Sequence, residues 1–266
     1  MTDLMLVKIG GSLITDKTQA FTPRPDVISR IAKEIHEART ENGEIKMIVG
    51  HGGGSFPHRS AAKYQTHKGI VNDESCRGIS KVHNDATKLN TMFIDALIHS
   101  GENAISIPPA AICITDNDKI VQWGIKPIEL GLKSNLLPVP YGDVVLDFQK
   151  GCTIISTEVI LDYLARQLGA KRVIIAGKVD GVFTGDPTKD SSAKLIPVIS
   201  SENFDEIKKY LAGSDGVDVT GGMVHKVEKM LELAKYGIES EIINADKPGV
   251  LKRALMGERG LGTIIR

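Results

Sequence analysis

Two glycine-rich stretches, each set directly behind a short apolar run, constrain this chain most. Lys8-Ile9-Gly10-Gly11-Ser12 closes the run Leu4–Ile9, and His51-Gly52-Gly53-Gly54-Ser55-Phe56-Pro57-His58 follows a second run over 45–49. Glycines at the end of a buried strand let backbone N–H groups approach an anion with no Cβ in the way. In an open parallel sheet, ligands sit beyond the carboxyl ends of the strands. Both stretches fall there. A helix expected to begin near Ser55 adds free N–H donors and a partial positive charge, and places His58 about one turn in. Lys8 precedes the first glycines and Lys17 follows within reach of a hairpin. Neither stretch matches GxxxxGK[ST] or GxGxxG. Taken singly, each also reads as a tight turn, His58 as a surface histidine, and His51 as a brace for its loop.

Strand-like and helix-like segments alternate along the chain. Strands are expected over 4–9, 45–49, 104–107, 111–114, 144–146, 153–155, 172–176, 241–243 and 263–265. Helices are expected over 26–39, 73–99 with a break near Gly78, 157–168, 204–211 and 223–236. Val27, Ile31 and Ile35 form one stripe of the first helix, and Gly169 suits a helix end. Asp180-Gly181 between 173–176 and Val182-Phe183 predicts a tight hairpin, and Gly185-Asp186-Pro187 a further turn. Continuous apolar strands joined by helices imply an α/β fold: a three-layer αβα sandwich around a central, mostly parallel sheet. The 266 residues read as one domain, with a soft boundary near Gly151 between an N-terminal lobe (about 1–150) and a C-terminal lobe (about 151–266).

Charge and composition exclude several classes. Thirty-three basic and 33 acidic residues give a formal net charge of zero, whereas a nucleic-acid coat needs a basic face. Aromatics are only 5%, too few for a base-stacking platform. Cys76, Cys113 and Cys152 are scattered with no CxxC pair, so neither a disulfide framework nor a zinc knuckle is indicated. No stretch approaches about 18 uninterrupted apolar residues, and the start lacks the marks of a signal peptide. A soluble, cytoplasmic protein with no nucleic-acid or membrane partner is expected.

Val179-Asp180-Gly181-Val182-Phe183-Thr184-Gly185-Asp186-Pro187 is the most specific segment. With it, the whole pattern resembles the amino acid kinase superfamily, whose members carry a lysine-glycine-glycine-serine start, a middle glycine triplet and a VDGVFTxDP-type nucleotide loop. All three occur here in that order over nearly the full chain. The run Gly52 to His58, the segment Thr66-His67-Lys68-Gly69-Ile70, and Asp218-Val219-Thr220-Gly221-Gly222-Met223 with Lys226 resemble the isopentenyl phosphate kinase family within it. That resemblance implies transfer of the ATP γ-phosphoryl to isopentenyl phosphate, giving isopentenyl diphosphate for isoprenoid synthesis. A fosfomycin-type phosphonate kinase, or another small-molecule kinase of the superfamily, is the alternative.

The resemblance also implies roles. Lys8 and Lys17 contact the transferring phosphoryl and Lys226 the ATP phosphates. Gly10, Gly11, Ser12 and Gly54 donate to ATP, and Asp180, Val182, Phe183 and Gly222 complete the nucleotide site. Gly53, Gly54 and His58 hold the acceptor phosphate, with Ser156 and Thr157 beside it. Relatives often carry Ser-Gly-Asp where this chain has Ser156-Thr157-Glu158. Glu158 keeps the charge on a longer arm and inherits the task of organising the lysines, with Asp147 the lesser candidate. Mg²⁺ is implied, held mainly by ATP oxygens and water, and a homodimer is implied by relatives. Ile79, Val82, Met92 and Ile94 are candidates to line a pocket for the isoprenoid tail, and read more readily as core; the same segment could instead form the dimer face. A phosphate monoester has a second pKa near ~6, so the acceptor is largely a dianion and needs no general base. Positioning and cationic stabilisation then carry the catalysis.

Overall fold

The computed structural model describes residues 3–187, 189–212 and 222–266. The chain opens with β1 (Leu4–Ile9), α1 (Gly11–Ile14), α2 (Pro25–Glu41), β2 (Lys46–His51), α3 (Pro57–Tyr64), a 3-10 turn over Thr66–Lys68, α4 (Ser75–His99) and β3 (Ala104–Ile107). A middle stretch holds α5 (Pro109–Ile112), β4 (Cys113–Asp116), β5 (Lys119–Trp123), α6 (Lys126–Lys133), β6 (Leu137–Pro140), β7 (Asp143–Asp147) and β8 (Gly151–Ile155). Then come α7 (Thr157–Leu168), β9 (Arg172–Gly177), β10 (Val182–Phe183), β11 (Leu195–Ile196), β12 (Val198–Ile199), α8 (Phe204–Ala212), α9 (Gly222–Ala234), β13 (Glu239–Asn244), α10 (Val250–Leu255) and β14 (Gly262–Ile265). No helix among the described residues is long and apolar enough to cross a membrane.

Side chains that alternate along the strands build the three layers. On β1, Val7 and Ile9 face one side with Val49 of β2 and Ile174 of β9, against Ile31 and Ile35 of α2 and Leu89 and Phe93 of α4. Leu6, Ile48 and Val173 face the other side, against Ile160, Leu161 and Leu164 of α7. Period-two alternation feeds both faces, and each fully buried side chain of this kind contributes about 2 kcal/mol. The central sheet runs β12-β14-β13-β9-β1-β2. β1 is parallel to β2 and β9, β9 is parallel to β13, and β14 is antiparallel to β13. A parallel bridge from His51 to Tyr141 carries the sheet on toward the β6–β3 pair. A second, mixed sheet, β5-β4-β7-β8, packs Val144 and Cys152 on Val82 of α4.

Several expectations shift. α4 passes through Gly78 without a break, because a Cβ there would overlap the Tyr64 side chain of α3 and the close approach requires glycine. Residues 111–114 divide between the helical turn α5, begun by Pro109, and β4, as a proline at the first helical position favours. β5, α6 and β6 have no counterpart among the expected elements; Pro138 and Pro140 make β6 read as a loop, although it pairs in parallel with β3. β10 pairs with β11, not with β9. Gly181 (φ +146) turns the chain away because any side chain would strike Thr263. Gly169 ends α7 as expected, at φ +65.

Candidate active site

β1 and β2 run side by side in the same direction, so the two glycine stretches emerge at one edge of the sheet. The Gly10 amide donates to Ala176 O at 2.8 Å and the Gly52 amide to Ile9 O at 2.9 Å. The stretches pack back to back. A Cβ on Gly11 would overlap the Gly54 nitrogen, one on Gly53 the Pro57 ring, and one on Gly54 (φ +55) the Thr15 hydroxyl. Glycine is therefore demanded by loop-on-loop contact alone. α1 leaves the Gly11 and Ser12 N–H groups without intrahelical acceptors. α3 begins at Pro57 rather than near Ser55, as proline at the first position favours. His58 is thus the second helical residue instead of one turn in, and the His58 and Arg59 N–H groups point out of the helix head.

The charged groups converge on these loops. Lys8 Nζ pairs with Glu158 Oε1 at 2.6 Å. Glu158 stands in the first turn of α7, which Ser156 caps by accepting the Val159 amide at 3.3 Å. Burial pushes the Glu158 carboxyl up, but the charge and hydrogen bond of Lys8, with the more distant charge of Lys226 on α9, hold it below its ordinary value. Lys17, Gly54, Ser55, His58 and Arg59 line a cleft of about 120 Å³. Desolvation first, and the Lys17 charge second, lower the His58 pKa from its ordinary 6.5, with Glu158 pulling the other way. Lys17 acts on His58, His58 feels Glu158, and Glu158 feels Lys8 and Lys226, so these five side chains share one electrostatic neighbourhood. Lys17 is set there by its loop: the Phe21 amide donates to Ser55 O at 3.3 Å and the Thr22 amide to Ser55 Oγ at 3.2 Å, while the Phe21 ring stands edge-on to Phe56 at 5.7 Å.

Other expected residues take different places. The Thr157 hydroxyl donates to His51 O at 2.6 Å and is buried, so its side chain braces the end of β2. Asp180 accepts from Asn244 at 3.2 Å and pairs with Lys247, tying the segment that leads into β10 to the end of β13. The Val182 amide donates to Thr263 Oγ1 at 2.8 Å, and Phe183 lies opposite Leu195. Gly222 opens α9, while Asp218, Val219, Thr220 and Gly221 lie outside the described residues. Asp147 caps a turn cluster, accepting Thr115 Oγ1 at 2.7 Å and the amides of Asn117, Asp118, Gln149 and Lys150. Burial raises its carboxyl, but those bonds hold it well below its ordinary value, and it is structural. Val82 is core, Ile79 and Ile94 are packed against core, and Met92 is exposed.

Of the groups that hold the loops, the sequence marked His51 but not Thr15 or Asn90. Thr15, fully buried, donates to Gly11 O at 2.7 Å and accepts the Ser55 amide at 3.0 Å. His51 lies between Gly52 O at 3.2 Å and the Asn90 amide at 3.1 Å, and Asn90 Oδ1 accepts from Ser106 at 2.5 Å. Burial lowers the His51 pKa to about 4. The ring is therefore neutral, donating from Nδ1 and accepting at Nε2, with Tyr141 stacked on it at 5.6 Å. His51 is the expected brace. Nothing local marks Thr15 or Asn90, because the contacts that make them clasps, Ser55 for Thr15 and His51 and Ser106 for Asn90, are distant in sequence.

The model of the amino acid kinase family matches residues 3–244. The chain belongs to the amino acid kinase family. Within that family it is similar to the isopentenyl phosphate kinase of Methanothermobacter thermautotrophicus, 38% identical over 98% of both chains. It is also similar to that of Methanocaldococcus jannaschii, 35% identical over 96% of both. A solved isopentenyl phosphate kinase structure superposes with a TM-score of 0.83 at 34% identity, over 99% of this chain and 100% of the other. The resemblance read from the motifs is borne out, and with it the α/β fold of this family member.

Proposed function

We propose that this amino acid kinase transfers the γ-phosphoryl of ATP to isopentenyl phosphate. The observation that carries the reading is the cleft where His58 and Lys17 meet the glycine triplet, one carboxylate away from Lys8 and Lys226. The curated relatives named above share this activity in name. The chemistry follows from charge. Two anions must meet, and ammonium groups with bare main-chain amides offset their repulsion where it peaks. Lys8 and Lys17 flank the transferring group, Lys226 draws the nucleotide phosphates, and the α1 amides donate to ATP. The Gly53 and Gly54 backbone with His58 holds the acceptor phosphate at the α3 head. Glu158, ionised and paired with Lys8, fixes that ammonium and needs no proton-transfer role. Asp180 shapes the nucleotide loop from behind.

The donor set of ammonium groups and amides repels a bare metal, and the carboxylate of Glu158 is engaged by Lys8. The site therefore fits Mg²⁺ arriving on the nucleotide, coordinated by phosphate oxygens and water. When bound, it neutralises charge on the β and γ phosphates. The reading assigns acceptor binding to about residues 1–150 and ATP to about 151–266, and includes a homodimer. A coupled assay of ADP release against isopentenyl phosphate, fosfomycin, uridylate and acetylglutamate tests it. Isopentenyl phosphate is expected to give the highest kcat/KM. His58→Ala is expected to lose roughly 100-fold or more in turnover with the fold intact. Full turnover in that variant sinks the acceptor contact.

A further inference from the structure

We propose that Thr15 is a positioning residue that sets the gap between donor and acceptor phosphates, an inference that rests on the kinase reading above. Thr15 closes α1, its amide bonded to Gly11 O at 3.0 Å. Its hydroxyl spans the two glycine stretches, donating to Gly11 O at 2.7 Å on the donor side and accepting the Ser55 amide at 3.0 Å on the acceptor side. Its methyl and hydroxyl together occupy the place where Gly54 lacks a Cβ. Its backbone bridges Pro23, closing the loop that carries Lys17. Donor loop, acceptor loop and lysine loop therefore meet on one fully buried residue, the first two through a hydroxyl whose single proton is spent on main chain and the third through its backbone.

That position matters because the reactants repel each other. Loops free to part let the phosphates drift out of line and admit water between them. A displacement of about 1 Å costs on the order of 100-fold in rate, whereas each phosphate still finds its own amides and lysines. Loss of the hydroxyl is thus expected in kcat and in coupling, not in the KM of either reactant.

The test compares Thr15→Val, which keeps the shape and loses the hydroxyl, with Thr15→Ser, which keeps the hydroxyl. In each full-length protein, kcat, both KM values, the ratio of ADP formed to isopentenyl diphosphate formed, and the melting temperature are measured. Thr15→Val is expected to lose roughly 10- to 100-fold in kcat, with KM near wild type and an ADP-to-product ratio well above one. Thr15→Ser is expected to restore both. A residue that only stabilises the fold lowers the melting temperature and leaves the ratio at one. Folded Thr15→Val with wild-type kcat and coupling overturns the role of Thr15 alone, as does equal loss in the serine variant. Wild-type protein that makes no diphosphate overturns the acceptor assignment and this inference together. If Thr15→Val does not fold, Thr15→Cys, with its weakly bonding thiol, carries the same comparison.

Discussion

His58 sits between opposing fields. Crowding and Lys17 lower its pKa, and Glu158 raises it. With the net shift below 6.5, the imidazole of the free protein is neutral at pH 7 and carries an N–H donor without itself being a cation. The signs can be separated. Lys17→Met removes a lowering charge, so the His58 pKa should rise; Glu158→Gln removes a raising one, so it should fall. An NMR titration of the ring reads both, and no movement in either variant would remove His58 from this charge cluster. At this scale the sequence showed the glycines, the lysines and His58, because each residue type carries its chemistry locally. It did not show that Thr157 is spent on His51 O, since that partner is 106 positions away.

Helices and loops answer to their neighbours. Gly78 looked like a break in α4, yet it is a point where Tyr64 of α3 packs too tightly against the helix to admit a Cβ. Gly78→Ala gains about 1 kcal/mol of helix propensity but forces an overlap that typically costs about 1–3 kcal/mol. A net loss of stability on urea denaturation is expected, and a gain would mean α3 and α4 separate easily. α10 depends on α2 in the same way. Buried Glu34 accepts the Gly249 amide at 3.0 Å and the Lys252 amide at 3.1 Å, capping α10 from another element. Periodicity gave α2 and α7 because their apolar stripes repeat every turn. β6, with two prolines, carried no comparable pattern, and the eight residues of α6 are too few for its stripe to repeat as those of α2 and α7 do.

Across the whole molecule, the site lies beyond the carboxyl ends of β1, β2 and β9, and a buried ion pair locks the other end. Arg172, first residue of β9, pairs with Glu241 of β13 and donates to Ala254 O at 2.7 Å, while Glu241 accepts the Leu261 amide at 3.0 Å. Glu241→Met strands a buried guanidinium and should cost about 3–5 kcal/mol, with kcat unchanged in the protein that remains folded; a wild-type denaturation midpoint would contradict it. The sequence by itself determined the layer order and the edge of the sheet where both glycine stretches emerge, because strand alternation and glycine placement are local properties of the chain. Only the tertiary structure decided that the two glycine stretches touch, that one carboxylate joins Lys8 to Lys226 in a common field, and that Thr15 clasps the loops. Those contacts join residues whose separation along the chain conceals their nearness in space.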